Sequence, residues 1–134
     1  MKDKKYFNII GLFNRLFFIV KSTIFIKRYI EKNKIGLVFI NTSTIVSPCF
    51  SSYITNIPSV YHIHEIPTSS NLYLRFLIKV INNFSNKVIV VSKAVKKYWV
   101  ENGLTANKTS VIYNGYDFDF SSKKKLDNNK IIFT

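Results

Sequence analysis

Two histidines and a carboxylate end an apolar stretch near the middle of the chain, and these side chains are the best suited to chemistry. His62, His64 and Glu65 belong to the run Val-Tyr-His-Ile-His-Glu, which begins at Val60 and lies between two prolines. A neutral imidazole donates or accepts a hydrogen bond and titrates near neutral pH, so His64 is a candidate acid–base group. The alternative interpretation is that His62 is a satisfied core histidine and Glu65 a solvated loop residue.

The apolar stretches along the chain predict the elements that position these residues. Residues 37–40, 60–63, 88–91 and 111–113 are short apolar runs, typical of strands buried on both faces. Helical patterns alternate with them, so we predict an α/β domain with these strands as neighbours in one Rossmann-like parallel sheet. Ligands of such sheets bind beyond the carboxyl ends of the strands. The polar residues at those ends are Asn41 and Thr42, His64 and Glu65, Ser92, and Asn114 with Gly115.

Two of the predicted helices have recognisable N-termini. Ser47, which precedes a proline, is expected to be an N-cap, with Phe50, Tyr53 and Ile54 of the same helix pointing inward. Ser92 is expected to cap the helix that follows the third strand.

The helix predicted over residues 7–32 has two interpretations. Its apolar residues are dense, and Asn14, Lys21 and Arg28 recur every seven residues as a polar stripe. It is either a crossover helix that packs on the sheet or a basic amphipathic helix that lies in an anionic membrane interface. Arg15 and Lys21 interrupt the apolar run, so we do not expect it to span a membrane, which requires roughly 20 nearly uncharged residues.

Composition narrows the class of protein. The 134 residues are 47% hydrophobic, which argues against intrinsic disorder, and 20 Lys and Arg against 7 Asp and Glu give a net charge of +13. This charge favours an anionic partner, but no nucleic-acid-binding motif is present and the lysines are scattered, so nucleic acid is not expected. The single cysteine, Cys49, excludes an internal disulfide and a cysteine-rich zinc site and fits a reducing, cytoplasmic setting. We predict neither a metal nor a cofactor.

Five segments occur in a recognisable order: NTS at 41–43, SP at 47–48, IPSVYHIHE at 57–65, NKVIVVSKAV at 86–95 and VIYNGYD at 111–117. Together they resemble the N-terminal domain of retaining, GT-B-fold glycosyltransferases of family four. The resemblance covers roughly residues 25–120 and rests on the order and spacing of all five segments.

The resemblance implies transfer of a sugar from a nucleotide sugar to a lipid-linked or polysaccharide acceptor. In such enzymes the N-terminal domain holds the acceptor, and the reaction takes place in the cleft between two domains. By this resemblance His64 is the catalytic residue, since the matching histidine of the family lies in the cleft. We predict substrate-binding roles for the other polar residues at the strand ends, which are Asn41, Thr42, Glu65, Ser92, Asn114 and Gly115. The expected location is cytoplasmic, on the inner face of the membrane.

The sequence departs from the family pattern at both ends. Members usually begin with further strands and a glycine-rich loop, which we do not find before Leu37. We assign residues 1–120 to a partial acceptor-side domain with an N-terminal amphipathic helix, and residues 121–134 to a linker and the start of a missing donor-binding domain. The isolated chain is therefore expected to be inactive unless a partner chain supplies the donor domain. The alternative is an inactive remnant or binding subunit that keeps only the fold.

Overall fold

The computed structural model describes residues 9–67 and 71–115, in which helices and strands alternate. The helices are α1 (Ile9–Asn33), α2 (Ser47–Ile54), α3 (Asn71–Phe84) and α4 (Lys93–Glu101), with a 3-10 turn at Ala106–Lys108. The strands are β1 (Val38–Ile40), β2 (Ser59–Ile63), β3 (Lys87–Val90) and β4 (Thr109–Val111). The predicted linker and start of a donor-binding domain, residues 121–134, lie outside the described residues.

The four strands form one parallel sheet in the order β1-β2-β3-β4, which confirms the predicted α/β class and the predicted neighbours. Ile40 pairs with Tyr61, Tyr61 with Val88, and Val88 with Thr109, so one row of side chains crosses all four strands. Each strand is joined to the next through a helix, as parallel neighbours require. β4 lies two residues earlier than predicted, at Thr109–Val111.

In the part of the chain that the structure describes, the sheet is covered on one face, which corrects the expectation of strands buried on both faces. The row from Ile40 to Thr109 is buried in the core. On the opposite face Phe39 is 55% exposed, and His62 and Ile89 are only half-buried. The strand order explains this, because right-handed crossovers that all step in one direction place their helices on the same side of the sheet.

The start of α2 packs on α1 through serine side chains, and this corrects the predicted N-cap. Val46 occupies the cap position without a side-chain hydrogen bond, and Ser47 is the first helical residue. The Ser47 hydroxyl instead donates to the backbone oxygen of Ile19 in α1, at 3.4 Å. One turn later, the buried Ser51 hydroxyl lies 2.9 Å from the backbone oxygen of Thr23 and donates to it. These short side chains let the two helices approach closely while each buried hydroxyl keeps a partner.

The contact with α1 also sets the rotation of α2, so the residues predicted to point inward do not. Tyr53 and Ile54 are 58% and 54% exposed, and Phe50 is half-buried. The fully buried side chains in this part of α2 include Cys49 and Ser52. Cys49 belongs to the hydrophobic core, where burial raises the pKa of its thiol.

α1 leaves a large apolar surface uncovered within the described structure. Its side toward α2 is narrow and includes Thr23 and Ile30, which are buried. The exposed large apolar side chains of α1 are Leu12, Phe13, Leu16, Phe17, Phe18, Val20, Ile24, Phe25 and Tyr29. Lys21 and Arg28 of the polar stripe are exposed among them. Of the helices in residues 9–67 and 71–115, none has the length and apolar character needed to cross a bilayer.

Candidate functional site at the carboxyl edge of the sheet

The polar strand ends follow one another along a single edge of the sheet. Because the strands are parallel, Asn41, His64, Ser92 and Asn114 come after β1, β2, β3 and β4 in that order. Neighbouring strands are about 4.8 Å apart, so the ends of β1 and β2 are adjacent while Asn114 lies two strands away from His64. All four side chains are exposed or half-buried.

The imidazole of His64 is exposed and has a defined hydrogen bond. Its Nε2 lies 3.1 Å from the backbone oxygen of Asn41. A carbonyl oxygen only accepts, so Nε2 carries the hydrogen and donates it. In the neutral ring, Nδ1 then holds the lone pair and is the atom that can accept a proton or a hydrogen bond.

His62 lies near the same end of β2, on the face of the sheet opposite the core. It is therefore not a core histidine, and the alternative interpretation was wrong on this point. Its Nδ1 donates to Oδ1 of Asn41 at 2.9 Å, and its ring centre lies 4.4 Å from that of His64. Partial burial lowers the pKa of His62 and the neighbouring His64 lowers it further, while Glu65 opposes the shift. His62 is therefore neutral at pH 7, and Asn41 links the two imidazoles through its side chain and its backbone.

Glu65 connects the loops after β1 and β2, so it is not a solvated loop residue. Its Oε1 accepts hydrogen bonds from the backbone N–H of Ser43 at 2.7 Å, from the Ser43 hydroxyl at 2.6 Å and from the Thr42 hydroxyl at 3.2 Å. Its Oε2 accepts from the backbone N–H of His64 at 3.1 Å. Burial alone raises the pKa of Glu65, but these donors outweigh it and the pKa is lowered.

The Glu65 carboxylate is therefore ionised at neutral pH, and both of its oxygens are engaged within the protein. Such a group positions the two loops whose atoms it bonds. That Glu65 or Thr42 also binds substrate stays a prediction.

Sequence reasoning missed the side chains that hold this arrangement in place. Ser43 is fully buried beneath Glu65, and the loop after β2 is held from α4. The indole Nε1 of Trp99 donates to the backbone oxygen of Glu65 at 3.0 Å, and the Tyr98 hydroxyl donates to that of Pro67 at 3.3 Å. Trp99 and Glu65 are 34 residues apart, and no local pattern in the sequence signals that they meet.

Ser92 lies beside the β2 end and caps α4, as predicted. Its hydroxyl oxygen accepts from the backbone N–H of Val95 at 3.1 Å. The backbone N–H of Val91 donates to the oxygen of Ile63 at 3.3 Å, so the residues that follow, Ser92 and His64, are neighbours across the sheet.

Asn114 and Gly115 lie furthest from the histidines. The backbone N–H of Ile112 donates to the oxygen of Val90 at 3.0 Å, so the strand alignment continues past β4. Asn114 and Gly115 are both exposed, and they lie at the outer end of the edge. The structure thus brings Asn41, His64 and their neighbours into direct contact, and it places Asn114 and Gly115 apart from them.

The fold and this edge define a class of protein. The domain is a parallel, Rossmann-like α/β sheet whose carboxyl edge presents an exposed imidazole together with amide and hydroxyl groups. Such groups suit the hydrogen bonding of a hydroxyl-rich ligand and the transfer of a proton. Within the described residues, no three His, Cys, Asp or Glu side chains converge to hold a metal ion.

Comparison with known proteins agrees with that class and gives the family. Residues 5–120 match glycosyltransferase family 4, and the chain belongs to this family. The four-stranded sheet with its helices matches part of a GT-B glycosyltransferase fold. A comparison with curated proteins gives no match.

Solved structures of HepE from Anabaena are similar to this chain. In complex with UDP-glucose, HepE is 29% identical with a TM-score of 0.61, over 74% of this chain and 27% of HepE. In complex with UDP it is 30% identical with a TM-score of 0.62, over the same shares of 74% and 27%. In complex with UDP and glucose it is 28% identical with a TM-score of 0.62, over 84% of this chain and 30% of HepE. The chain therefore spans less than a third of the HepE structures that it matches.

Proposed function

We propose that this chain is the acceptor-side part of a retaining glycosyltransferase, which transfers a sugar from a nucleotide sugar to a lipid-linked or polysaccharide acceptor. Membership of glycosyltransferase family 4 supports the reaction class. HepE crystals contain UDP-glucose and UDP, so a UDP-sugar is the first donor to test.

The observation that carries the proposal is the exposed imidazole of His64 at the end of β2. Its Nε2 is occupied by the backbone oxygen of Asn41, so its Nδ1 is the atom left to meet a sugar hydroxyl. A hydroxyl that is held there can donate a hydrogen bond or a proton to this nitrogen. His64 is thus the proposed catalytic residue.

In this proposal the remaining residues of the edge have different roles, which depend on their distance from His64. Asn41 and Thr42 bind the acceptor next to His64, and Ser92 does so from the adjoining strand. Glu65 binds the Thr42 hydroxyl and the Ser43 backbone and so holds the loop after β1 in place beside His64. Asn114 and Gly115 contact the substrate from the outer end of the edge, towards the donor side.

The donor side is proposed to come from a second domain, either on a longer polypeptide or on a partner chain. Residues 1–120 then form the acceptor-side domain, and residues 121–134 lead into the donor-binding one. The basic, apolar surface of α1 supports a location on an anionic membrane surface, where a lipid-linked acceptor would be found.

Reconstitution tests the reaction. The chain is purified and assayed alone and together with a separately expressed donor-binding domain of family 4, and transfer of radioactive glucose from UDP-glucose to a membrane lipid extract is measured. We expect transfer only when both parts are present. His64→Ala should then lower the rate by about 10²–10⁴-fold, as for a lost acid–base group.

Lys97→Ala is the matched control, because Lys97 is exposed on α4 and pairs only loosely, at 3.8 Å, with Glu101. It should transfer at the wild-type rate. Full activity of His64→Ala would refute the role of the histidine. Absence of transfer by the complete pair, with the acceptor still bound, would instead identify a binding subunit.

A further inference from the structure

A groove between α1 and α3 opens beside the candidate site. Its inner part encloses about 310 Å³ between these helices and the loop after β1. Its outer part, of about 260 Å³, continues along the same two helices towards the start of α1. The two parts share four lining residues, so they form one groove; the shared residues are Arg15, Ile19, Tyr73 and Phe76.

The groove is apolar and carries a single positive charge. Leu12, Leu16 and Leu72 complete the outer part, and the only charged residue that lines either part is Arg15. In the described residues the ion pairs join Lys27 to Glu31 and Lys97 to Glu101, so Arg15 takes part in neither. A guanidinium at the side of an apolar channel is complementary to an amphiphile with an anionic head, since its planar donors match the oxygens of a phosphate.

The inner end of the groove is connected to the strand ends that carry His64. The Tyr73 hydroxyl, in the groove wall, donates to the backbone oxygen of Thr44 at 3.4 Å. The Thr44 hydroxyl lies 3.1 Å from that of Thr42, which in turn donates to Glu65 at 3.2 Å. A molecule in the groove therefore lies next to the loop that borders the proposed reaction site.

We propose that the groove holds the apolar chain of a lipid phosphate, with the Arg15 guanidinium bound to the phosphate. The lipid's sugar-bearing end is thereby presented to the edge at His64. This last step rests on the proposed function, whereas the binding of the lipid does not. The exposed apolar surface of α1 adjoins the outer part of the groove, so a lipid can enter from a bilayer on which α1 lies.

Binding of dodecyl phosphate to the 134-residue chain, below its micellar concentration, tests the groove by isothermal titration calorimetry. Dodecyl maltoside has the same chain with a neutral head, and inorganic phosphate has the head without the chain. We expect saturable, one-to-one binding of dodecyl phosphate, clearly weaker binding of the maltoside and none of inorganic phosphate at the same concentrations. Arg15→Gln should weaken the binding of dodecyl phosphate by roughly tenfold or more, as expected for a lost charge-assisted hydrogen bond, and leave the maltoside unaffected.

Lys21→Gln is the matched control, because it removes the same charge from the same helix at an exposed position that does not line the groove. It should bind dodecyl phosphate like the wild type. An equal loss in both variants would mean general attraction to a basic helix and would overturn the proposal. Leu16→Asn should weaken both amphiphiles, and wild-type binding by this variant would also overturn it.

The result of the dodecyl phosphate binding assay can be distinguished from that of the sugar-transfer assay. If Arg15→Gln loses the lipid phosphate while His64→Ala transfers sugar normally, the groove is supported and the proposed catalytic role fails. If the reconstituted enzyme depends on His64 but the Arg15→Gln enzyme uses a lipid acceptor as well as the wild type does, presentation of the lipid from the groove to His64 is overturned and the proposed function stands.

Discussion

Replacing Glu65 with alanine removes a side chain whose two carboxylate oxygens bond both loops at the centre of the candidate site. Four hydrogen bonds end on its carboxylate, and two of them come from the backbone N–H and the hydroxyl of Ser43. Ser43 is fully buried, so water cannot readily replace the lost acceptor there. The donors of Thr42 and His64 are more accessible and can turn to solvent.

The expected loss follows from the two Ser43 donors. A hydrogen bond to a charged group contributes about 1.5–3 kcal/mol, and a buried donor left without a partner costs about 1–3 kcal/mol. Glu65 is itself half exposed, which reduces its contribution below the sum of these terms. We therefore expect Glu65→Ala to lower the free energy of unfolding by about 2–4 kcal/mol.

The effect should depend on pH in a defined direction. The pKa of Glu65 is lowered in the folded state, so its stabilisation is complete above the unfolded-state value of about 4.3 and is lost as the pH falls through the folded-state value. Wild type should thus lose stability in acid by a term that Glu65→Gln lacks. Between about pH 5 and 8 the difference between these two proteins should stay constant.

Urea unfolding followed by circular dichroism measures both effects. Glu101→Ala is the control, because this carboxylate is exposed and forms only a long surface ion pair, which is expected to contribute less than about 1 kcal/mol. A loss in Glu65→Ala no larger than that in Glu101→Ala would refute the connecting role of Glu65. An identical acid dependence in wild type and Glu65→Gln would refute its ionised, stabilised state.

Three further predictions can be tested on the same chain. Trp99→Phe removes the fully buried indole N–H that donates to the Glu65 backbone. Thermal unfolding should show that the free energy of unfolding falls by about 1–3 kcal/mol. Unchanged stability would mean that this hydrogen bond contributes nothing. An NMR titration should find the pKa of His62 below its ordinary value of 6.5. His64→Gln should raise the pKa of His62 without restoring that value, because the burial remains. An unchanged pKa in His64→Gln would exclude repulsion between the two rings. In vesicle flotation the chain should bind anionic lipid, and less of it should bind at high salt, because α1 combines exposed aromatic and basic side chains. Equal recovery with neutral lipid would exclude an electrostatic contribution to the binding.

Much of the fold follows from local sequence patterns. Short apolar runs that alternate with helical patterns predict a parallel sheet, because parallel neighbours need a crossover long enough to contain a helix. The prediction for Ser92 also holds, because its hydroxyl meets the N–H group three residues later and both groups lie in the same short segment. The position of His64 at the carboxyl end of β2 also follows from the sequence, because His64 comes directly after the apolar run that forms the strand.

The tertiary structure decides which faces are covered and which partners the polar groups find. That Phe39 lies on an open face depends on the direction in which the chain adds its strands, and no strand carries that information by itself. Ser47 has the sequence signature of a cap, but α1 lies close enough for its hydroxyl to bond there instead. Glu65 looks like a loop carboxylate until folding brings Ser43, 22 residues away, and Trp99, 34 residues away, into contact with it. The sequence by itself thus determined which residues stand at the edge of the sheet, whereas only packing between distant segments decided which of them support the site and which remain free to meet a ligand.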